Sequence, residues 1–339
     1  MSQPTVAPSW KAAQSKVRAA VPLLAIGPEA LLLGIGCAAY LLFPYDLGLL
    51  TNIAAMSLLA LSLSLVLGQA GIASMGHAAL YGAGAYAAGL VALHLTNEPL
   101  LGLVGGGLAG LLVALVSGSV LLRSHGLTLV MLTIATAQLL LELANWARSV
   151  TGGDDGLTGF TIAPVLGVFA FDFAGRTGYF YALAVLVLSY GALRRITVSP
   201  FGLTSRAIKV DGGRVEAMGG RVYPHLLTVY AIGGFFAGMA GALSAQTAKV
   251  ASLSMLDFGV SAGVLIMVVL GGTSRLAGAL VGTVAYMLIQ HTAANISPHH
   301  WLLAIGLGLI ATMVLLPGGL IEIADRLAAK WKLSSKEVA

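Results

Sequence analysis

Few side chains in the apolar part of this sequence can hydrogen-bond or carry a charge. The candidates are Gln69, Ser74, His77, Gln138 and Glu142. Polar groups in a membrane segment are costly and usually face a protein interior or a water-filled cavity. Gln138 and Glu142, four residues apart, share one face of a helix. Two kinds of chemistry fit such residues: hydrogen bonds that hold helices together, and contacts with a solute along a permeation path.

His77 ends a run that is unusually rich in glycine and polar residues for a lipid-facing helix. The run is Gly68-Gln69-Ala70-Gly71-Ile72-Ala73-Ser74-Met75-Gly76-His77. A broken helix that lines a cavity fits this composition, because irregular backbone at membrane depth is tolerated only beside protein or water. A histidine satisfied in a tight helix contact fits it equally well. The stretch 70–80 is therefore expected to be broken or re-entrant.

Signals for enzyme chemistry are weak. The sequence contains no G-x-x-x-x-G-K-[ST] phosphate loop, no H-E-x-x-H and no Cys/His metal spacing. Asp154 and Asp155 resemble the start of a calcium loop, but the other ligand positions are missing, so a tight turn explains them better. We expect no catalytic residue, no metal and no cofactor in this chain.

A polar interval from Arg194 to Pro224 separates two apolar parts of the chain. Six of the 18 Lys and Arg residues lie in it: Arg194, Arg195, Arg206, Lys209, Arg214 and Arg221. Its apolar residues can share a face only if Gly212-Gly213 is a bend between two short helices, since adjacent glycines weaken a single helix. Such a loop is suited to docking a partner, although a solvated, positively charged loop is the plainer alternative. It lacks interleaved aromatic residues, so nucleic-acid binding explains it poorly.

Composition assigns the chain to a membrane. Of its 339 residues, 58% are hydrophobic and 9% are charged, whereas roughly 25% are charged in soluble domains. The 44 glycines would let helix backbones approach closely, as in packed membrane helices. The predicted fold class is an all-α polytopic membrane protein.

About ten apolar stretches have the length needed to span a membrane. They are 22–43, 48–68, 75–95, 100–122, 126–146, 178–193, 225–246, 257–273, 276–294 and 300–317. With both termini cytoplasmic, all but three of the 18 Lys and Arg residues fall on the cytoplasmic side. The exceptions are Arg148, Arg176 and Lys249. This excess of positive charge supports the orientation.

The predicted topology gives the chain three parts. Residues 1–20 form a cytoplasmic N-terminal segment, 21–318 the transmembrane domain, and 319–339 a cytoplasmic tail. Within the domain, an external loop is expected at 147–177 and the polar cytoplasmic loop at 194–224. The external loop contains tight turns and then an apolar, interrupted stretch near 160–175, which is expected to re-enter the membrane or lie on its surface.

Five motifs, taken in order, resemble those of the permeases of branched-chain amino acid ABC importers, specifically the LivM-like subunit. They are the Gly68–His77 run with Gly82-Ala83-Gly84-Ala85-Tyr86; Thr151-Gly152-Gly153-Asp154-Asp155-Gly156-Leu157; Ser199-Pro200-Phe201-Gly202 with Arg206-Ala207-Ile208-Lys209 and Glu216-Ala217-Met218-Gly219; Phe235-Phe236-Ala237-Gly238-Met239-Ala240-Gly241-Ala242-Leu243; and Met267-Val268-Val269-Leu270-Gly271-Gly272. The resemblance extends from about Asn52 to Pro317.

The resemblance implies an ABC importer permease fold in the bacterial cytoplasmic (inner) membrane. It also implies partners: a second, LivH-like permease, two ABC ATPase subunits that hold ATP and Mg²⁺, and an extracytoplasmic solute-binding protein. Membrane lipid surrounds such a chain.

By the same resemblance, the loop 199–224 would dock on an ATPase. Glu216, Ala217 and Gly219 match the family's coupling motif, and Arg206 and Lys209 flank it. Asp154 and Asp155 in the external loop are candidates for docking the solute-binding protein.

Departures from the family's motifs leave the solute open. Leu203 stands where the family usually has arginine, and Leu80 replaces a common phenylalanine. Similar permeases are associated with leucine, isoleucine and valine, but also with urea, short amides and aromatic acids. We expect a branched-chain or other hydrophobic amino acid, with those solutes as the alternative. The competing class, an ion-coupled secondary transporter, would need membrane-embedded carboxylates, and Glu142 is the one real candidate.

Overall fold

The computed structural model describes residues 27–164, 172, 175–273, 275–296, 306, 310 and 319–321. The N-terminal segment 1–20, nearly all of the tail 319–339 and most of the tenth predicted span, 300–317, lie outside the described residues. Most of the interrupted stretch near 160–175 does so as well.

The regular secondary structure of the described residues is helical, as predicted. The helices are α1 (Gly27–Leu42), α2 (Leu47–Leu63), α3 (His77–His94), α4 (Pro99–Leu121), α5 (Leu127–Trp146), α6 (Arg148–Thr151), α7 (Arg176–Val198), α8 (Pro200–Val210), α9 (Gly212–Ala217), α10 (Val222–Ala248), α11 (Phe258–Gly271) and α12 (Leu276–Ile296). A π-helix, Ser64–Gln69, extends α2, and short 3₁₀ turns cover Gly153–Asp155 and Leu253–Leu256.

Six of the described helices are long and apolar enough to cross a membrane, fewer than the ten spans predicted. They are Leu47–Gln69, Pro99–Leu121, Leu127–Trp146, Arg176–Val198, Val222–Ala248 and Leu276–Asn295. The described part of the chain is therefore a polytopic membrane protein, but the expected count is not reached in it.

Helix ends explain most of the difference in the count. α1 has 16 residues and α11 has 14, which correspond to roughly 24 and 21 Å, short of an apolar core of about 30 Å. α3 begins only at His77 and consists largely of alanine and glycine, with two histidines and two tyrosines. Hydropathy identifies an apolar stretch correctly but does not detect where its backbone stops being helical.

Close backbone contacts hold the centre of the bundle together, as the glycine content predicted. α10 packs against α4, α3 and α2. A Cβ atom on Gly234 of α10 would lie 2.7 Å from the carbonyl oxygen of Gly110 in α4, and a Cβ atom on Gly106 would lie 2.7 Å from the carbonyl oxygen of Gly84 in α3. Larger residues would force these helices apart.

The remaining long helices surround this centre. α11 and α12 pack together and against α2, while α7 lies between α2 and α1. Arg194, near the end of α7, donates two hydrogen bonds from Nη1 to the carboxylate oxygens of Glu29, at 2.9 and 3.0 Å. This partly exposed ion pair fixes the first turn of α1 to the polar end of α7.

Candidate coupling and translocation site

The polar interval forms two short helices, as the paired glycines predicted. α8 begins at Pro200, whose fixed φ suits a first helical turn, and ends at Val210. Asp211 then adopts an extended conformation, with φ −159° and ψ 95°, and its Oδ1 accepts a hydrogen bond from the Arg214 backbone N–H at 3.0 Å. The bend therefore lies at Asp211, and the glycines form the first turn of α9, because aspartate is a good N-cap.

One face of α8 packs against the helix bundle. Gly202, Ser205 and Ile208 are buried along it. Ser205 Oγ lies 2.8 Å from Nε2 of His225 in α10, and the Phe201 ring lies 4.3 Å from the His225 ring, centre to centre. α8 is thus attached to the start of the central helix.

The opposite face of this loop is open and partly apolar. Leu203, Val210 and Met218 are 51%, 86% and 75% exposed. The predicted coupling residues Glu216, Ala217 and Gly219 are exposed too, and every residue of α9 is at least partly accessible. Because the interval carries too much charge to enter lipid, these apolar side chains form a surface suited to another protein.

The two cations that flank the predicted coupling motif turn towards the bundle. Nη2 of Arg206 donates to the carbonyl oxygen of Thr197, at the C-terminal end of α7, over 3.1 Å. This places a positive charge where the helix dipole favours one. Nζ of Lys209 donates to the carbonyl oxygen of Gly68, in the π-helix, over 2.7 Å. Both side chains link α8 to membrane helices.

The backbone between α2 and α3 is broken, which agrees with the prediction for 70–80. After the π-helix and Ala70, residues 71–76 are non-helical. Gly71 has φ +74°, and a Cβ atom there would lie 2.8 Å from Cγ of Lys209. Glycine at this position therefore allows both the turn and the close passage of the lysine side chain.

Three of the predicted pathway residues meet at this break. Gln69, Ser74 and His77 are all buried. Ser74 Oγ accepts a hydrogen bond from the Gly76 N–H at 3.3 Å and lies 3.2 Å from His77 Nδ1. Among the described residues, Gln69 Oε1 and His77 Nε2 are buried with no hydrogen-bond partner. The break therefore offers one free acceptor and one imidazole nitrogen in its interior.

Neighbouring helices complete the hydrogen bonds of the broken backbone. Thr133 of α5 accepts from the Met75 N–H at 3.1 Å, and Ser261 of α11 accepts from the Ala78 N–H at 2.9 Å. The Tyr230 ring of α10 lies edge-on to His77, with ring centres 6.3 Å apart. Elements from the whole bundle thus meet at this segment.

Ser261 was not identified from the sequence, although a pattern surrounds it. Gly259-Val260-Ser261-Ala262-Gly263 matches the G-x-S-x-G of hydrolases, in which the serine projects from a strand-to-helix turn. Here the serine lies inside a helix, is buried, and accepts a backbone hydrogen bond. Its role is structural, and the pattern is coincidental.

Gln138 and Glu142 are not brought to the break. Both are exposed on α5, whose buried residues are Leu129, Thr133 and Ala137. The prediction that the two share one helix face holds, but that face points away from the described bundle.

The turn residues between Thr151 and Leu157 are held in place by the protein itself. Oγ1 of Thr151 donates to the carbonyl oxygen of Ala144 at 2.6 Å, and an isolated antiparallel bridge joins Leu157 to Ala251. Asp154 is 3.6 Å from Nη2 of the exposed Arg148, and Asp155 is exposed beside it. The tight-turn interpretation is confirmed.

A cavity of about 440 Å³ opens near the starts of α2 and α7 and the end of α10. Its polar lining includes Thr51, Asn52, Asp172, Ser244, Thr247 and Lys249. Lys249 has φ +56°, a left-handed conformation that is unusual for a residue other than glycine. The cavity is therefore lined by one acidic and one basic residue together with uncharged polar residues, glycines and an alanine.

The fold and these sites define a polytopic helical membrane protein in which a structured polar loop, 194–224, is joined to a broken helix. The model of the family described as "Branched-chain amino acid transport system / permease component" matches residues 46–316. The chain belongs to this family, and the resemblance inferred from its five motifs is confirmed. It is thus a membrane permease component of a transport system.

Two curated relatives agree with this assignment. The chain is similar to the high-affinity branched-chain amino acid transport system permease protein LivM of Salmonella typhimurium, with 27% identity over 293 residues, covering 78% of this chain and 67% of that protein. It is 26% identical to the LivM protein of Escherichia coli, with the same coverage. No solved structure matches the chain.

Proposed function

We propose that this chain is one permease subunit of an ABC importer in the bacterial inner membrane. It would import branched-chain amino acids with a second permease, two ATPase subunits and an external solute-binding protein. ATP and Mg²⁺ would bind to the ATPases. Family membership and the LivM relatives support this class and this solute.

The proposal includes about ten membrane crossings in an ABC importer permease fold, with both termini cytoplasmic. α1, α3 and α11 pack with the six long helices, and 300–317 is a further apolar stretch of spanning length in the sequence. The distribution of Lys and Arg favours this orientation. It puts α8 and α9 in the cytoplasm and the Asp154-Asp155 turn outside, where the turn would meet the solute-binding protein.

The observation that carries the coupling mechanism is that the docking loop contacts both solvent and the broken helix. α8 and α9 expose Val210 and Met218, and Lys209 of α8 bonds to the Gly68 carbonyl. An apolar, partly helical surface fits a groove on a partner. Movement of an ATPase bound there would pull α8, and α8 would displace the break through Lys209.

The broken segment is the proposed inner part of the solute path. The unpaired Gln69 Oε1 and His77 Nε2 are buried at its two edges, on either side of the non-helical residues 71–76. Broken helices at membrane depth supply polar groups to substrates in other transporters. A small rotation of this segment would expose or hide those groups.

An ion-coupled secondary transporter is less favoured by the site. The broken segment contains no carboxylate between Gly68 and His77, and Glu142 lies on the exposed side of α5. A proton or sodium site at the break would have no anionic group from this segment to hold the ion.

Purification and uptake together test the proposal. We expect the tagged chain, extracted from its native membrane in gentle detergent, to carry along two ATPases and a second permease. The reconstituted complex should import leucine in an ATP-dependent manner, and urea or benzoate much more slowly. A preference for urea or benzoate would show that the solute is one of the alternatives and not a branched-chain amino acid. A chain that purifies alone and transports solute alone would contradict the whole proposal.

A double variant tests the docking surface directly. Glu216→Lys with Ala217→Asp places a reversed charge and a new charge on α9, so we expect loss of ATPase binding at an unchanged amount of permease in the membrane. Glu216→Asp with Ala217→Ser, which changes the same two positions but keeps their charges, serves as the matched control and should keep most of the ATPase binding. Normal ATP-coupled uptake by the double variant would show that the ATPases bind elsewhere.

A further inference from the structure

We propose that the outer face of α5 is the surface on which a second, non-identical permease chain packs, with Gln138 and Glu142 hydrogen-bonded across the interface. This inference rests on the proposed function, because it requires a permease partner. It adds where that partner binds and what chemistry the partner must present.

α5 is the least covered of the six long apolar helices. Only 17% of its most apolar stretch is buried, against 33 to 72% in the other five. Its outward residues recur at helical spacing and form one continuous face: Leu127, Met131, Gln138, Leu139, Glu142, Leu143 and Trp146. Something outside the described bundle therefore covers this face.

A comparison with α4 shows that lipid is an unfavourable environment for the outward face of α5. α4 is also widely exposed, but all its exposed residues are leucine or valine. That is the composition expected of a helix face in contact with acyl chains. α5 presents a carboxamide and a carboxylate instead, four residues apart on the same side. The two exposed faces therefore require different neighbours.

Depth strengthens this contrast. At about 1.5 Å per residue, Gln138 lies roughly 12 Å from the Trp146 end of α5 and roughly 16 Å from the Leu127 end. It is therefore well inside an apolar core of about 30 Å, where lipid offers no hydrogen bond to an amide. Glu142 is one turn nearer the end that carries Trp146. A partner protein can satisfy both groups.

The partner should differ from this chain. Two copies in one membrane share an orientation, so a twofold axis along the membrane normal would bring the two Glu142 carboxylates to the same depth. Two carboxylates near each other in an apolar setting are unfavourable. The complementary surface is a helix with donors, such as serine, threonine, asparagine or a basic residue, at the level of Gln138 and Glu142. α5 would then lie between that partner helix and the break, since Thr133 on the buried face of α5 accepts a hydrogen bond from the Met75 N–H.

Paired leucine substitutions test the surface. Gln138→Leu with Glu142→Leu would suit a face in contact with lipid, so a lipid-facing α5 should leave assembly unchanged. We expect instead that the second permease recovered with the tagged chain falls at least tenfold, while the amount of this chain in the membrane is unchanged. Leu108→Ala with Leu112→Ala, at the same spacing on α4, is the matched control and should keep the partner.

Photo-crosslinking gives a second, independent reading. A photoreactive residue at Leu139 should form an adduct with a different chain, whereas one at Leu112 should form none. An adduct between two copies of this chain, or none from Leu139, would overturn the inference. If the wild-type chain recovers no second permease, the proposed function itself fails; if wild type and the leucine pair recover it equally, only the α5 surface is wrong.

Discussion

α8 and α9 are neighbours in one loop, but they are attached to the molecule in opposite ways. α8 buries Gly202, Ser205 and Ile208 against the bundle, whereas every residue of α9 remains at least partly accessible. A short helix with no fully buried residue has little tertiary packing to stabilise it. The difference fits the proposed coupling mechanism, in which α9 would bind the ATPase and α8 would transmit its movement to the bundle.

Two glycines on these helices provide the largest test of the contrast. A Cβ atom on Gly202 would collide with the backbone carbonyl of Thr197, whereas the nearest atom to a Cβ on Gly213 is Asp211 Oδ1 at 3.6 Å. We expect Gly202→Ala to destabilise the seating of α8 by about 1–3 kcal/mol and to abolish most uptake. Gly213→Ala should be neutral or stabilise α9 by up to about 1 kcal/mol.

Thermal melting of the purified chain and ATP-dependent uptake measure both glycine variants. Equal losses of melting temperature and uptake in the two variants would mean that α8 is no better anchored than α9.

The partly buried hydrogen bond between Ser205 and His225 provides the next test. Ser205→Ala leaves Nε2 of His225 without its serine partner, so we expect a loss of about 1–3 kcal/mol in the local stability of α8. Hydrogen exchange of the α8 amides should become correspondingly faster. Thr204→Ala, one residue away and exposed, is the control and should leave exchange unchanged. Unaltered hydrogen exchange in Ser205→Ala would show that this bond does not help to hold α8 in place.

The smallest effect is expected at the junction of the two helices. Asp211→Ala removes the side chain that caps α9, which should destabilise that short helix by about 0.5–2 kcal/mol without changing the melting of the bundle. Limited proteolysis between Val210 and Met218 should become faster. Asp211→Asn preserves a capping oxygen and should behave like the wild type. A lower melting temperature of the whole chain would show that α9 is coupled to the core after all.

Local chemistry predicted a good part of this site. Paired glycines and apolar spacing predicted two helices in the loop, and the glycine-rich run before His77 predicted a broken helix. Turn residues predicted the form of the Asp154-Asp155 segment. These features depend on residues close together in the chain, where backbone preference decides the structure.

Features that depend on distant residues could not be predicted. Lys209 and Gly68 are 141 positions apart. The residues around each of them give no sign that the two are in contact. The spacing of Gln138 and Glu142 fixed their shared face but not its direction, because exposure depends on how whole helices pack. The count of spans was wrong for the described residues because apolar composition does not report where a helix starts or stops.

Replacing Lys209 tests the central claim, that α8 drives the broken helix, most directly. In the reconstituted complex, Lys209→Met should keep ATPase binding and ATP hydrolysis but lower the solute moved per ATP by about tenfold or more, since a hydrogen bond from a charged donor contributes about 1.5–3 kcal/mol. Arg214→Met, which removes an exposed cation from α9, should move nearly as much solute per ATP as the wild type. If Lys209→Met moves as much solute per ATP as the wild type, movement is not transmitted through this contact.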